Sequence, residues 1–557
     1  MKENGRSINP VTCLDYPDVD VIRVEDTYYM VSTTMHFMPG GEILRSYDLW
    51  NWEHAAYIYD SLDQTPGQKL EGEQNIYGQG MWAASLRYHE GTFYVCFVAN
   101  DTHRTYLYTA KDVEGPWEKH FVEGFYHDCS LLFDDDGRVY IAYGNKNIYI
   151  TELKSDLSGP REGGLHRLAV SDEGNPHLGY EGTHFYKING RYYLFFIHSA
   201  WNRWRRTEAC FVADSLDGEF LGGEILDDDR GYCGQGVAQG GIVDTPDGKW
   251  YAMLFQDSGA VGRIPILMPL SWEKGLKVRR EALPGECAER VMECPFPVLG
   301  DKGRIPEDFP LESTRPDHVY EPLVQSEDFK GDLKTCWQFN HQPDGALTAH
   351  DRERGIWRVS TDKVCAAPTQ AKNMLTQRMR YPGCAGEVTL DGSGLGEGDI
   401  AGLCALQSCY GLIGLTRRDG RLCLIVRTME PEDTSMAPLP GEVQRSASRE
   451  KEWGPFPVEG STVRLKLEVD FTGMKDTASF YYRSEALGAA AFTDGEGKMP
   501  HAAETGRADE GGDWKKLGPD HKLYFKLDHF CGCRFGLVVY STKEAGGTAE
   551  FSRFIYE

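Results

Sequence analysis

With 557 residues the chain exceeds what one hydrophobic core usually supports, so two or more domains are expected. Apolar residues make up 41% and aromatics 12%, which excludes a largely disordered polymer. The 59 basic and 85 acidic residues leave a formal charge of −26, which excludes nucleic acid and anionic membrane as partners and favours neutral or cationic ones.

The opening residues Met1-Lys2-Glu3-Asn4-Gly5-Arg6-Ser7 lead into no apolar core of signal-peptide length. No apolar run approaches the roughly 18 residues of a membrane span. The 15 cysteines are odd in number and scattered. Cys531-Gly532-Cys533 is the tightest pair and reads as structural, neither a metal nor a redox site, so free thiols in a reducing cytoplasm are expected. Asn100-Asp101-Thr102 reads as a chance glycosylation match.

Five segments then share one layout: a polar or Trp residue, a short apolar strand, a turn, and a second strand carrying Tyr. The first runs from Asp18 through Val21-Ile22-Arg23-Val24 and Glu25-Asp26 to Tyr28-Tyr29-Met30-Val31. The second runs from Trp82 through Ser85-Leu86-Arg87-Tyr88 and Glu90-Gly91 to Phe93-Tyr94-Val95. The third passes from Asp128 through Leu131-Leu132-Phe133 and Asp136-Gly137 to Val139-Tyr140-Ile141. The fourth runs from Glu181 through Asn189-Gly190, a strong hairpin signal, to Arg191-Tyr192-Tyr193. The fifth goes from Gln239 through Ile242-Val243 and Asp247-Gly248 to Trp250-Tyr251-Ala252. Counting back from the shared tyrosine, Trp82, Asp128, Glu181 and Gln239 lie twelve positions earlier and Asp18 eleven. Five units of blade size without long helical patterns predict an all-β fold opening with a five-bladed β-propeller over residues 1–305. A propeller brings the same position of every blade toward one axis, so Asp18, Asp128 and Glu181 are expected to converge.

A proline-rich polar stretch follows and predicts a linker over 306–325. Beyond it, runs such as Gly386-Glu387-Val388-Thr389-Leu390, Leu422-Cys423-Leu424-Ile425-Val426 and Val463-Arg464-Leu465-Lys466-Leu467-Glu468-Val469 alternate apolar and polar residues. Short strands with Gly-rich turns predict a β-sandwich over 326–557. The Gly-, Glu- and Asp-rich stretch 494–518 is expected as a surface loop.

Three carboxylates at one mouth fit two uses. Two carboxyls can flank a glycosidic bond as acid and base while a third keeps the acid protonated by charge repulsion. Three acids can also hold a metal ion, but Asp134-Asp135-Asp136-Gly137 is compact and reads as turn chemistry, so no metal ligands are assigned.

The motif Asp15-Tyr16-Pro17-Asp18 with Val21-Ile22-Arg23-Val24 and Tyr28-Tyr29-Met30 resembles the opening of glycoside hydrolase family 43. His127-Asp128-Cys129-Ser130 and Glu181-Gly182-Thr183-His184 match its other two signatures in order. The likeness extends to Trp82, to Ser46-Tyr47-Asp48-Leu49-Trp50-Asn51-Trp52, to Gly262-Arg263, and into the second domain at Trp337-Gln338-Phe339-Asn340-His341 and Gly402-Leu403-Cys404-Ala405-Leu406-Gln407-Ser408. It implies a concanavalin-like jelly roll behind the propeller and an inverting glycosidase that releases terminal pentoses. β-D-Xylose from short oligosaccharides is the leading expectation and α-L-arabinofuranose the alternative. A non-catalytic carbohydrate-binding propeller is the rival reading. By resemblance, Asp18 is the general base, Glu181 the general acid, and Asp128 tunes Glu181 and orients the sugar. Phe37 and Trp82 are expected as apolar walls of the sugar subsite, Arg263 as a hydroxyl partner, and Phe530 as a candidate closing residue from the second domain. No cofactor is required on this reading. Ala238, Gln239 and Ser258 stand where relatives carry His, which argues against an axial calcium, and Val19 replaces the usual Pro after the base. A small oligosaccharide is the expected partner; self-association is left open.

Overall fold

The structure, a computed structural model, describes residues 7–279, 291–431, 448–483 and 514–557. Most of the expected 494–518 loop, residues 494–513, lies outside them.

Residues 20–299 form five antiparallel four-stranded sheets, each in simple up-and-down order. Their inner strands are Asp20–Val24, Met81–His89, Ser130–Phe133, Glu181–Ile188 and Val237–Asp244. The sheets are blades I to V. The tightest hairpins behave as their sequences dictate. Val24 pairs with Thr27, His89 with Thr92 and Ile188 with Arg191, each across two residues. At Asn189-Gly190 both turn residues take positive φ, 51° and 78°, the twist that matches a two-residue hairpin.

Each seam between neighbouring blades has its own apolar cluster. Strand alternation sends successive side chains to opposite faces. Phe195 of blade IV therefore packs with Ile242, Leu254 and Ile266 of blade V, while Leu194 and Phe196 pack with Tyr140 and Ile148 of blade III. Blade I meets blade II around Val31, Ile43, Leu86 and Phe97, and blade II meets blade III around Leu107, Leu131 and Ile141. The fifth seam closes the ring: Val21, Tyr28 and Met30 pack on Val243, Tyr251 and Met253. Backbone bonds reinforce it, Gly241 N–H donating to Val19 O (3.1 Å) and Val11 N–H to Pro265 O (3.0 Å). At roughly 1.5–3 kcal/mol for each large apolar side chain buried, the seams hold the propeller together.

The segment read as a linker carries no strand and lies along blade I. Thr314 N–H donates to Tyr47 O (2.8 Å), Arg315 pairs with Asp26, and His318 Nε2 lies 3.1 Å from Glu53. The second domain is a sandwich of two antiparallel sheets. One runs, in spatial order, through Gln338–Asn340, Leu375–Arg378, Arg534–Ser541, Asp399–Leu406, Gly411–Arg418, Arg421–Pro431 and Ser448–Pro457. The other is centred on Thr548–Tyr556, Gly383–Asp391 and Thr462–Asp470. Strand Asp399–Leu406 is buried on both faces: Ala401, Leu403 and Ala405 enter the sandwich core, whereas Ile400, Cys404 and Leu406 face a second cluster that includes Phe37 of the propeller.

That second cluster is where the domains join. Phe37–Met38 adds a two-residue strand to the sandwich sheet, pairing Phe339 with Met38 and Asn340 with Phe37. Beside it, Arg378 and Glu42 form a buried ion pair at 2.7 Å, with the Arg378 guanidinium over the Tyr16 ring at 4.1 Å.

Candidate active site

Register, rather than residue count, shows how the site is built. The shared tyrosines Tyr29, Tyr140, Tyr193 and Tyr251 pair with Ile22, Leu132, Tyr186 and Val243. Four residues before those partners stand Asp18, Asp128, Gly182 and Gln239, all at positive φ: 54°, 48°, 64° and 56°. Glu181 is therefore one position ahead of Asp128's phase, not level with it; the differing turn lengths hid this in the count from the tyrosines. A β-bulge between Glu181 and His184 absorbs the difference, and bulges recur in blades II and V at the same end of the inner strand. Such bulges re-aim a side chain at a sheet end. The left-handed residue, tolerable for Asp and free of penalty for Gly, turns the chain inward at the mouth.

Asp18 and Asp128 are buried there, 6% and 5% exposed. Asp128 and Glu181 lie together with His127, their ligating atoms all within 4.8 Å of one another. Asp128 Oδ2 accepts from Gly182 N–H at 3.1 Å, and Glu181 Oε2 accepts from Asn145 Nδ2 at 2.6 Å. Burial pushes the Asp128 carboxyl up, Glu181 and Asp18 add to this by repulsion, and the His127 imidazole opposes it. Burial works against a charge on His127, but the carboxylates of Asp128 and Glu181 outweigh it and raise the imidazole. Burial also raises Asp18, against the pull of the Arg263 guanidinium whose Nη1 donates to Asp18 Oδ1 at 2.8 Å. Glu181 acts electrostatically on Asp18 and on the buried Arg206, which pairs with Asp257 at 2.6 Å. The three acids converge as the repeat implied.

The other expected residues divide. The Trp82 ring lies 5.5 Å from that of His127 and 5.7 Å from that of Phe530, so it borders the acids. Phe530 reaches the site from the sandwich, its ring 4.4 Å from the Arg263 guanidinium. Arg263 is at the site, but its side chain is engaged by Asp18 and by Phe530 O (3.4 Å), and its backbone N–H donates to Asp15 Oδ1 at 2.8 Å. Phe37 does not form a wall of the subsite: it is fully buried between the domains, with the Arg534 guanidinium 3.4 Å from its ring centre. Pairing with Asn340 fixed that position, and no pattern local to Phe37 announces a partner three hundred residues away. Asn145, His127 and Arg206 were not singled out. His127 stands beside Asp128 in the motif itself, whereas Asn145 and Arg206 carry no local signal.

Among the described residues, several buried polar atoms here have no hydrogen-bond partner: Trp82 Nε1, Asp128 Oδ1, Thr183 Oγ1 and Arg263 Nε. Buried donors and acceptors are normally satisfied, so a cluster of unsatisfied ones marks where a polar ligand is received.

Ala238 and Gln239 are both buried at the inner end of the blade V strand Val237–Asp244. Gln239 packs beside Gly182, and its N–H donates to Glu208 Oε2 at 2.8 Å. Burial pushes the Glu208 carboxyl well up, and its Oε1 has no hydrogen-bond partner among the described residues. Ser258 Oγ donates to Gln256 O at 3.2 Å and leads into the short 3-10 turn Gly259–Val261 that presents Arg263. No step below is routed through a metal.

The site is thus an acid cluster at the mouth of a five-bladed propeller, with a sandwich against it. Residues 7–276 match the family described as glycosyl hydrolases family 43, and residues 326–557 match the beta xylosidase C-terminal concanavalin A-like domain. The chain belongs to glycoside hydrolase family 43. A solved structure of a bifunctional GH43-CE protein of Bacteroides eggerthii is 37% identical, with a TM-score of 0.82 over 100% of this chain and 64% of the other. A beta-xylosidase of Formosa agariphila is 27% identical over 65% of this chain and 63% of its own length. A non-reducing end alpha-L-arabinofuranosidase of Bacteroides ovatus is 23% identical over 78% of this chain and 81% of its own. The chain thus spans less than two thirds of the first two relatives.

Proposed function

We propose that the protein is an inverting, exo-acting glycosidase that releases terminal pentoses, β-D-xylose foremost, from short xylo-oligosaccharides. The observation that carries this reading is the convergence of Asp18, Asp128 and Glu181 among unpartnered buried polar atoms. Asp18, held by Arg263 in a form that can accept a proton, activates water. Burial raises its basicity while the Arg263 guanidinium pulls the other way. Glu181, oriented by Asn145, protonates the departing oxygen. Asp128, whose carboxyl burial raises to about 7, and His127, 3.6 Å from Asp128 and 3.9 Å from Glu181, set the local field in which the leaving group is protonated. An inverting reaction needs base and acid about 6.5–9.5 Å apart, with water between. Phe530 closes the pocket from the sandwich, which favours short, chain-end substrates. The chemistry needs no cofactor. Fourteen described cysteines are free, in keeping with a reducing cytoplasm as the place of action.

The test is hydrolysis of 4-nitrophenyl β-D-xyloside against the α-L-arabinofuranoside, with proton NMR following the anomer first released. The reading expects faster xyloside cleavage, inversion at the anomeric carbon, and loss of turnover in Glu181→Gln with sugar binding kept. Retention of configuration, or turnover surviving in Glu181→Gln, would refute it. Faster cleavage of the arabinofuranoside would transfer the assignment to that sugar, the substrate named for the Bacteroides ovatus relative.

A further inference from the structure

A second cluster of ligating side chains lies away from the acids, where the sandwich meets blade I. His36 comes from the propeller; His529 and Cys531 come from the sandwich segment that carries Phe530. All three are buried, and their ligating atoms lie within 4.8 Å of one another. His36 is fully buried, yet among the described residues neither of its ring nitrogens has an aligned hydrogen-bond partner, and Nε2 of His529, 1% exposed, has none either. Three orphaned ring nitrogens in a dry interface are costly unless something binds them.

The neighbouring histidine shows the contrast. His341 Nε2 accepts from Ile76 N–H at 3.0 Å, and its Nδ1 lies 3.3 Å from Asn340 Oδ1. Tyr77 walls the cluster, stacked on His529 at 4.6 Å, its hydroxyl donating to Thr369 O at 2.7 Å and accepting from Asn340 Nδ2 at 2.6 Å. Among the described residues Asn340 is the polar side chain that also acts on His36, without an aligned bond to either ring nitrogen, while its own amide is engaged by Tyr77 and His341.

We propose that His36, His529 and Cys531 form a binding site for a thiophilic d10 cation, Zn2+ or Cu+, that clips the sandwich to the propeller. Two imidazoles and one thiolate are the donor set such ions prefer. Burial lowers both histidines, which keeps them in the neutral form that ligates. On binding, the Cys531 thiol loses its proton to solvent and its sulfur donates to the ion. A four-coordinate ion holds its ligands about 3.3–3.8 Å apart, so ligand atoms within 4.8 Å of one another close by up to roughly 1.5 Å. Charge separates the two candidates. The buried Arg534 guanidinium disfavours added positive charge at both histidines, whereas the Cys531 thiol is raised first by burial and then by the Asp15 carboxylate, with Arg534 opposing them. Cu+ with one thiolate and two neutral imidazoles is a neutral centre; Zn2+ leaves a net positive charge and needs a fourth ligand. This assigns Cys531 a role other than the purely structural one expected from its spacing with Cys533. It also ties an ion to catalysis through position: Phe530 sits between two of the ligands, so the clip would hold its ring beside Arg263 and Trp82.

The test uses the full chain stripped by a chelator, then desalted after exposure to one equivalent of Zn2+, or of Cu+ kept reduced with ascorbate. Bound metal is measured by mass spectrometry and Tm by calorimetry. The proposal expects one retained ion per chain and a Tm rise of a few degrees for at least one of the two, with Cu+ the stronger. Cys531→Ser and His529→Phe should abolish both effects, while a metal-free Tm near that of the parent shows that they fold. Glu181→Gln should leave retention unchanged, because it alters only the other His-carboxylate cluster. No stoichiometric retention of either ion, equal retention by Cys531→Ser, or loss in Glu181→Gln would overturn the site. Failure of xyloside hydrolysis would leave these outcomes untouched.

Discussion

Replacing Arg263 with Met tests how the proposed base is kept ready. The Arg263 Nη1–Asp18 Oδ1 bond is 2.8 Å long, with side chains only 3% and 7% exposed. Met fills much of the same volume and removes the charge. Breaking a buried pair by removing one partner costs about 3–5 kcal/mol, because the remaining charge is left uncompensated. A carboxylate avoids part of that cost by taking a proton. If about 3 kcal/mol appears as proton affinity, at 1.36 kcal/mol per pKa unit, the Asp18 pKa climbs by roughly two units. Its folded-state pKa is already raised by burial, so Asp18 favours the protonated fold, and stability falls as pH rises through that pKa. The substitution moves this window upward. In catalysis the base must be ionised, so the acid limb of the kcat/KM profile should shift up by about two pH units. Below both limbs the rate falls about 100-fold; far above them it recovers most of the loss. The assay is 4-nitrophenyl β-D-xyloside hydrolysis from pH 4 to 9. An unmoved acid limb with a uniform rise in KM would refute the argument and return Arg263 to the hydroxyl-binding role expected from its sequence.

Asp128→Asn should abolish most turnover yet stabilise the fold by on the order of 1 kcal/mol at pH 8, since Asn can still accept from Gly182 N–H without burying a charge. Asp128 is raised in the fold, so the parent loses stability as pH rises from the ordinary carboxylate range. The Tm advantage of the variant should therefore be small at pH 4 and grow toward pH 8; a constant difference would contradict the electrostatic cause. Arg378→Met should lower stability by about 3–5 kcal/mol by stranding Glu42, which keeps only His54 (3.2 Å) and the Tyr16 hydroxyl (3.4 Å). In the parent, burial raises Glu42, but Arg378 and His54 outweigh it and bring the carboxyl down to about 2, so this contribution is present above pH 4.5 and lost as pH falls toward 2. Adding Glu42→Gln to the Arg378 variant should recover much of the loss in denaturant unfolding. No recovery would mean that packing over Tyr16, not charge, holds the interface.

The sequence by itself determined the blades and the acids. Strand alternation, two-residue turns such as Asn189-Gly190 and the repeated tyrosine are local signals, because hairpin register depends on residues a few positions apart. From them the convergence of Asp18, Asp128 and Glu181 followed, since a repeat carries each blade's leading residue to the same place. The one-residue offset of Glu181 did not follow. It depends on turn length and a β-bulge, which a count along the chain cannot distinguish from true phase. The domain interface was decided by tertiary structure alone. Phe37 lies in the stretch Met35-His36-Phe37-Met38, which reads equally well as pocket wall or as core. Only its pairing with Asn340 and the guanidinium of Arg534 over its ring settle which. The same contact brings His36 to His529 and Cys531, and Phe530 to Arg263. These pairs are hundreds of residues apart, outside any repeat, and what unites them is apolar burial between two sheets, a force with no directional signature in sequence.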